Sequence, residues 1–267
     1  MLKTKVNLLQ DYLRQLGKVT VALSGGVDSM TLAYVAHQTL GKNATMVHSI
    51  SPAVPSKDTE RIREHADQYG WELVFVQSGE MEDSHYRENP VNRCYYCKTC
   101  LYTRLKSLDH GQVISGTNLD DLDDYRPGLI AAKENDIKHP YVEVGIDKQT
   151  IRNIANHFGL DSVARLPASP CLASRVETGI AIKPHQLHLI EDVESILRSN
   201  IEATNLRCRV QSGKITIEID AVALQSLPNL KLEILKQKIQ DLVNKANLSV
   251  PIHFKPYQKG SAFVGAR

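Results

Sequence analysis

A short run rich in glycine and serine is suited to binding an anion. It lies between an apolar stretch, 19–23, and a helix-forming stretch, and it consists of Ser24, Gly25, Gly26, Val27, Asp28 and Ser29. The paired glycines let the backbone approach an anion, while N–H groups at a helix start point towards it. The two serines add hydroxyl donors, and Asp28 would repel phosphate unless it orients the loop or holds Mg²⁺. The run predicts a phosphate site, although an ordinary strand–turn–helix corner is the simpler alternative.

Three of the five cysteines lie close together, at Cys94, Cys97 and Cys100. The Cys-x-x-Cys spacing lets neighbouring thiolates bind one metal ion or cluster. No second pair of this spacing occurs in the sequence, which argues against a zinc ribbon. Cys100 fits either a substitute ligand or a core position, so its role stays open.

Cys171 stands alone in the segment Ser-Pro-Cys-Leu-Ala-Ser-Arg, 169–175. Together with the earlier pair it would give three thiolates, which suits an iron–sulfur cluster with one open iron. Alternatively, Arg175 could lower the pKa of Cys171 and make it a reactive sulfur centre. Buried, inert thiols are the simpler alternative, which we prefer for Cys208.

Composition restricts the class of protein. The 267 residues include 32 Lys and Arg against 30 Asp and Glu, a net charge of +2. That balance gives no general reason to expect nucleic-acid binding, although a local basic patch stays possible. The amphipathic start of the chain differs from a signal peptide, and no apolar stretch is long enough for a membrane span. We therefore expect a cytoplasmic protein without structural disulfides.

The first half of the sequence alternates short apolar strands with helical stretches. The predicted strands are 19–23, 44–50, 72–77 and 112–115. Such alternation predicts an α/β domain with a doubly wound parallel sheet over residues 1–166. Ligands of such sheets bind beyond the carboxyl ends of the strands, where the loops after 23, 50 and 115 would meet.

After a proline-containing break at 166–170 the pattern changes. We predict helices at 185–198 and 230–246, and strands at 206–210, 214–219 and 249–254, with a hairpin at Gly213. This predicts a smaller C-terminal α+β domain over residues 167–267.

Several segments together resemble one family. The run 24–29 is similar to the PP-loop of ATP pyrophosphatases, which have an adenine nucleotide α-hydrolase-like fold. With the segments 89–98, 116–128 and 170–175 and the strand residues Arg207, Cys208 and Arg209, followed by Ile217 and Glu218, the chain resembles the LarE family. The matching segments span nearly the whole chain in family order. LarE proteins are ATP-dependent sulfur transferases of nickel-pincer cofactor biosynthesis.

The resemblance implies a two-step reaction. ATP, with Mg²⁺, adenylates a carboxylate of pyridinium-3,5-biscarboxylic acid mononucleotide and releases pyrophosphate. Sulfur then displaces AMP to leave a thiocarboxylate, and the second carboxylate follows. The resemblance also implies a homo-oligomer, hexameric in the family, that supplies a downstream nickel-inserting enzyme.

Family members differ in their sulfur source. Some surrender the sulfur of the cysteine that corresponds to Cys171 and are left with dehydroalanine. Others resemble cluster-dependent transferases, in which three cysteines hold a [4Fe-4S] cluster. Because this sequence has Cys94, Cys97 and Cys171, it resembles the second kind, and these cysteines together with Asp28 are the predicted catalytic residues.

Further candidates concern the substrate and the nucleotide. Arg175, Arg207 and Arg209 are predicted to clamp the carboxylates and phosphate of the mononucleotide, because guanidinium groups bind both in bidentate fashion. Their alternative is a solvated charged face. The other predicted contacts are Ser174, Thr117, Asn118 and Glu218. Glu194 and Glu218 could orient the three arginines or bind a metal ion, with a solvated surface position as the alternative. Some of the acidic residues could serve Mg²⁺, with a solvated loop as the alternative; they are Asp120, Asp121, Asp123 and Asp124.

Three other functions remain open. A PP-loop tRNA thiolase is disfavoured by the lack of a second Cys-x-x-Cys pair and of a basic RNA-binding appendage. A non-enzymatic ATP-binding module would not need substrate-dependent pyrophosphate release. An ammonia-using amidating enzyme would not need Cys171 or the clustered thiols.

Overall fold

The computed structural model describes residues 2–122, 126–246 and 248–262. Within them, the chain forms two compact units. One comprises 2–83 and 92–169, and the other comprises 84–91 and 170–262. The division into a domain over 1–166 and a second domain over 167–267 stays a prediction. The described helices are α1 Leu2–Leu16, α2 Val27–Leu40, α3 Ser56–Tyr69, α4 Ser84–Arg87, α5 Arg93–Lys106, α6 Pro127–Glu134, α7 Pro140–Glu143, α8 Lys148–His157, α9 Asp161–Ala164, α10 Pro184–Asn200, α11 Ala221–Gln225 and α12 Asn229–Lys245.

The first unit is built on a four-stranded parallel sheet. Its strands are β1 Val19–Ala22, β2 Ala44–Ser49, β3 Glu72–Val76 and β4 Gln112–Ser115. They lie in the order β3-β2-β1-β4, so β1 is flanked by β2 and β4. The predicted α/β fold with a parallel sheet is confirmed.

Alternating strand residues pack into two separate hydrophobic clusters. Val21, Met46 and Ile114 belong to a cluster with residues of α1, α2 and α8. Their neighbours Val47 and Val113 belong to a cluster with residues of α5 and α6. Because successive side chains of a strand point to opposite faces, helices cover the sheet on both sides.

The second unit contains a three-stranded sheet with strands β5 Leu206–Gln211, β6 Lys214–Ile219 and β7 Ile252–Pro256. The hairpin of β5 and β6 turns at Gly213, whose φ of 69° favours glycine. β7 was predicted at 249–254 but lies at Ile252–Pro256. Its parallel pairing with β6, from Ile215–Ile252 to Ile219–Pro256, determines these bounds, which no local pattern could show. None of the helices in the described ranges is long and apolar enough to cross a bilayer.

Candidate functional site

The glycine- and serine-rich run follows the carboxyl end of β1, which is an inner strand of the sheet. Gly25 has a φ of 81°, which L residues rarely adopt, and Gly26 is the N-cap of α2. Since a glycine cap carries no side chain, the first-turn N–H groups of α2 are left to an anion. Ser29 Oγ accepts a bond from Ser24 N at 3.1 Å and donates to Gly26 O at 3.2 Å. These bonds close the loop upon itself around the helix start.

The loop is also braced from α3 by a buried carboxylate. A Cβ atom at Gly25 would lie 2.8 Å from Cβ of Asp58, so only glycine fits there. Arg61 Nη1 donates both to Asp58 Oδ1, at 2.6 Å, and to Gly25 O, at 2.8 Å. Ser169, two residues before Cys171, donates to Asp58 Oδ2 at 3.1 Å. Asp58 therefore links the anion loop to Ser169 within the first unit.

Asp28 faces a lysine that sequence reasoning missed. Lys148 Nζ, at the first residue of α8, lies 2.5 Å from Asp28 Oδ2. Burial raises the pKa of Asp28, and the hydrogen bond from Lys148 opposes that shift. The two residues are 120 positions apart, so no spacing could have joined them. The loop therefore carries a cation beside the carboxylate that was predicted to hold Mg²⁺.

The residues after β4 mainly order their own loop. Asn118 Nδ2 donates to Asp28 Oδ1 at 3.4 Å, which brings the loops after β1 and β4 together as predicted. Asp121 Oδ2 accepts from Asn118 N, and Asp120 Oδ2 accepts from Lys148 N, each at 3.1 Å. Thr117 Oγ1 lies 3.1 Å from Ser115 Oγ. The other two acidic candidates, Asp123 and Asp124, lie outside the described residues.

The clustered cysteines lie along α5. Cys94 is exposed and Cys97 is half-buried, one helical turn further on. Cys100 Sγ donates towards Asp83 Oδ2 at 3.8 Å, and burial followed by the charges of Asp83 and Glu80 raises its pKa. The neighbouring carboxylates therefore make the thiolate form of Cys100 less favourable. Within the residues that the structure describes, no group of three or more His, Cys, Asp and Glu side chains is arranged to hold a metal ion.

Cys171 is exposed at the start of a short 3₁₀ turn, Leu172–Arg175, in the second unit. Arg175 is only 3% exposed, and its Nε donates to Glu194 Oε1 at 2.9 Å. Its Nη1 donates to the carbonyl oxygen of Cys171 at 3.0 Å and to Ser174 Oγ at 3.1 Å. The solvated alternative is therefore wrong for both Arg175 and Glu194.

Arg207 and Arg209 share one face of β5, as their alternation predicts, and both are buried. Arg209 Nε donates to Glu218 Oε2 at 2.9 Å, so Glu218 neutralises Arg209 and is not solvated either. Arg207 donates to the carbonyl oxygen of Leu206 at 2.7 Å, and the described residues place no carboxylate within ion-pair distance of it. Burial, followed by the positive charge of Arg175, lowers its pKa. Of the three arginines, Arg207 is thus the one without a salt bridge to any carboxylate that the structure describes, and Glu194 acts on it only from a greater distance.

Cys208 faces away from these arginines and is fully buried, as predicted. Burial raises its thiol pKa, which keeps the sulfur protonated and unreactive.

No protein-family model matches the chain. The chain is 34% identical over 264 residues to an uncharacterised protein of Synechocystis sp., with 97% of each chain covered. It is 30% identical over 223 residues to a LarE protein, the pyridinium-3,5-bisthiocarboxylic acid mononucleotide synthase of Lactiplantibacillus plantarum, which covers 82% of this chain and 80% of that one. The chain belongs to the LarE family.

A more distant similarity links this LarE-family chain to one subunit of the glutamine-hydrolyzing GMP synthase of Methanopyrus kandleri. The two are 23% identical over 232 residues, 78% of this chain and 70% of that one. Family membership identifies the chain as an ATP-using enzyme of the PP-loop kind, with ATP and Mg²⁺ as its implied ligands. Its anion loop is accordingly the PP-loop.

Proposed function

We propose that this protein is an ATP-dependent sulfur transferase that converts the two carboxylates of pyridinium-3,5-biscarboxylic acid mononucleotide into thiocarboxylates, as a step of nickel-pincer cofactor biosynthesis. The observation that carries the proposal is an exposed cysteine, Cys171, on a loop held by buried arginines, in a chain that also has a PP-loop. The name of the Lactiplantibacillus plantarum relative supports this choice of substrate.

The first step activates a carboxylate. A carboxylate oxygen attacks the α-phosphorus of ATP, the bond between the α- and β-phosphates breaks, and pyrophosphate leaves. The N–H groups at the start of α2 and the Lys148 ammonium are the donors that would stabilise the departing charge. Asp28 is the carboxylate that would hold Mg²⁺, which when bound neutralises phosphate charge.

The mononucleotide needs a cationic contact, and Arg207 is the candidate best suited to it. Arg175 and Arg209 are each neutralised by a glutamate, whereas Arg207 has no such partner among the described residues. A guanidinium can bind a phosphate or a carboxylate with two parallel hydrogen bonds. We therefore assign the substrate's anionic group to Arg207 and a supporting role to Arg209, Ser174 and Glu218.

The second step replaces AMP with sulfur, and two sources are compatible with the chain. In one, Cys94, Cys97 and Cys171 are the three thiolates of a [4Fe-4S] cluster, which when bound carries an extra sulfur on its open iron. The spacing of Cys94 and Cys97 on α5 fits two neighbouring ligands. In the other, Cys171 gives up its own sulfur.

Substrate-dependent release of pyrophosphate tests the proposal. With ATP and the biscarboxylic mononucleotide, we expect one AMP and one pyrophosphate for each carboxylate activated, measured by chromatography. Nicotinamide mononucleotide is the matched control, since it is a pyridinium mononucleotide with an amide where a carboxylate would stand. Release that is equal with both compounds, or that needs tRNA instead, would contradict the proposal.

Replacement of Cys94 separates the two sulfur sources. After anaerobic purification, Cys94→Ala is expected to lose bound iron and to form no more than one thiocarboxylate per chain, because a cluster ligand is missing. Cys100→Ala is the matched control from the same helix. We expect it to keep its bound iron and the parent protein's yield of thiocarboxylate. If the parent protein holds no iron after reconstitution, and intact mass shows that Cys171 has lost one sulfur, the cluster is ruled out and Cys171 is the sacrificed donor.

The same proposal includes a cytoplasmic location, a homo-oligomer and delivery of the product to a nickel-inserting enzyme. It assigns ATP chemistry to 1–166 and sulfur transfer with substrate binding to 167–267.

A further inference from the structure

Two arginine–glutamate pairs are buried in the second unit. Arg175 binds Glu194 in bidentate fashion, with Nε 2.9 Å from Oε1 and Nη2 3.1 Å from Oε2. Arg209 binds Glu218 at 2.9 Å. The side chains of these four residues are at most 8% exposed. Burying charged groups costs desolvation free energy, so the contacts that these pairs make with the rest of the unit are of interest.

Both guanidinium groups also donate through Nη1 to the Cys171 loop, 170–174. Arg175 Nη1 donates to the carbonyl oxygens of Pro170 and Cys171 and to the Ser174 hydroxyl. Arg209 Nη1 donates to the carbonyl oxygen of Ser174 at 3.0 Å. These contacts engage the loop backbone on either side of the thiol. The hold on the loop therefore does not depend on the chemical state of the sulfur.

The glutamates are in turn fixed by regular secondary structure. Glu194, on α10, also accepts a hydrogen bond from the backbone N–H of Cys208 on β5 at 3.0 Å. Glu218 is on β6, and its second oxygen lies 3.2 Å from Lys255 Nζ on β7. A carboxylate held in this way sets the plane of the guanidinium that it binds. The position of the carboxylate therefore sets the direction in which the other N–H groups of the guanidinium point. Because these groups bind the loop, the carboxylate also sets the position of the loop.

We propose that Glu194 and Glu218 are positioning residues for Cys171, acting through Arg175 and Arg209. The inference rests on the proposed function in one respect, that Cys171 takes part in sulfur transfer, as the sulfur donor or as a cluster ligand. The two glutamates hold the loop in one conformation, so that the sulfur of Cys171 is presented in the same place whether it is a thiol or a cluster ligand.

Hydrogen exchange of the full-length protein tests this inference directly. In Glu194→Gln, which removes the charge but keeps the size, we expect the amides of 172–176 to exchange about tenfold faster or more, because the loop loses its charge-assisted anchor. The PP-loop amides should be unchanged. Asp192→Asn is the matched control: it removes a carboxylate from the exposed side of the same helix and should leave both segments within about twofold.

A second measurement distinguishes positioning from general stability. We expect the single-turnover rate of thiocarboxylate formation in Glu194→Gln to fall about tenfold or more, while substrate-dependent pyrophosphate release is retained. If Glu194→Gln does not fold, the same two measurements are made on Arg175→Lys, with the same expected results. This variant keeps a cation opposite Glu194 but cannot also reach the loop carbonyls. Unchanged loop exchange in a folded variant would overturn the inference. Faster exchange in a protein whose parent makes no thiocarboxylate would instead leave the inference standing and refute the proposed function.

Discussion

Cys171→Ala is expected to abolish thiocarboxylate formation while leaving ATP-dependent release of pyrophosphate. Cys171 is required under both sulfur sources, as the donor itself or as the third thiolate of the cluster. The exposed thiol takes no part in the contacts that Arg175 and Arg209 make with its loop. The free energy of unfolding should therefore change by no more than about 0.5 kcal/mol. Chromatography of products and urea unfolding measure the two quantities.

Cys208→Ala is a control with the opposite expected pattern. Its side chain is fully buried and contacts no proposed ligand, so truncation should lower the free energy of unfolding by about 1–2 kcal/mol. Sulfur transfer per folded molecule should be unchanged. If Cys171→Ala kept its sulfur transfer, the sulfur would have to come from elsewhere, and both versions of the second step would fail.

Local patterns were sufficient to predict the sheet and the PP-loop. An apolar run followed by paired glycines predicted a strand, a turn and a helix start, and β1 and α2 lie where this pattern places them. The same holds for Arg207 and Arg209, whose alternation predicted one shared face. In each case the information lies within a few neighbouring residues.

The partners of the site residues were harder to predict, because they come from distant segments. Lys148 reaches Asp28, and Ser169 reaches Asp58, across more than one hundred residues of chain. One feature of the sequence did indicate a partner for Arg209. A two-residue turn at Ser212 and Gly213 sets the register of β5 and β6, and this places Glu218 directly opposite Arg207 and diagonal to Arg209. The register thus places Glu218 on the same face as both arginines, whereas its bond to Arg209 and its burial are seen only in the structure.

Arg207→Gln is expected to weaken binding of the mononucleotide while stabilising the free protein. Arg207 is 7% exposed, and none of the described carboxylates lies within ion-pair distance of it, so the cost of burying its charge is only partly offset, by the more distant charge of Glu194. Replacing it with a neutral side chain should raise the free energy of unfolding by about 1 kcal/mol. Loss of a bidentate contact to phosphate or carboxylate should raise Kd about 100-fold. Urea unfolding and calorimetric titration measure the two effects.

Arg198→Gln is the matched control for charge. Arg198 also donates to the Leu206 carbonyl, but it lies 4.0 Å from Glu194 and its side chain is 35% exposed. Removing an exposed charge of this kind should change the free energy of unfolding and the free energy of mononucleotide binding by about 0.5 kcal/mol or less each. A loss of stability in Arg207→Gln with unchanged Kd would make Arg207 a structural residue and move the substrate's anion elsewhere. A gain in stability with a raised Kd would mean that the second unit holds a cation whose charge is satisfied only when the substrate binds.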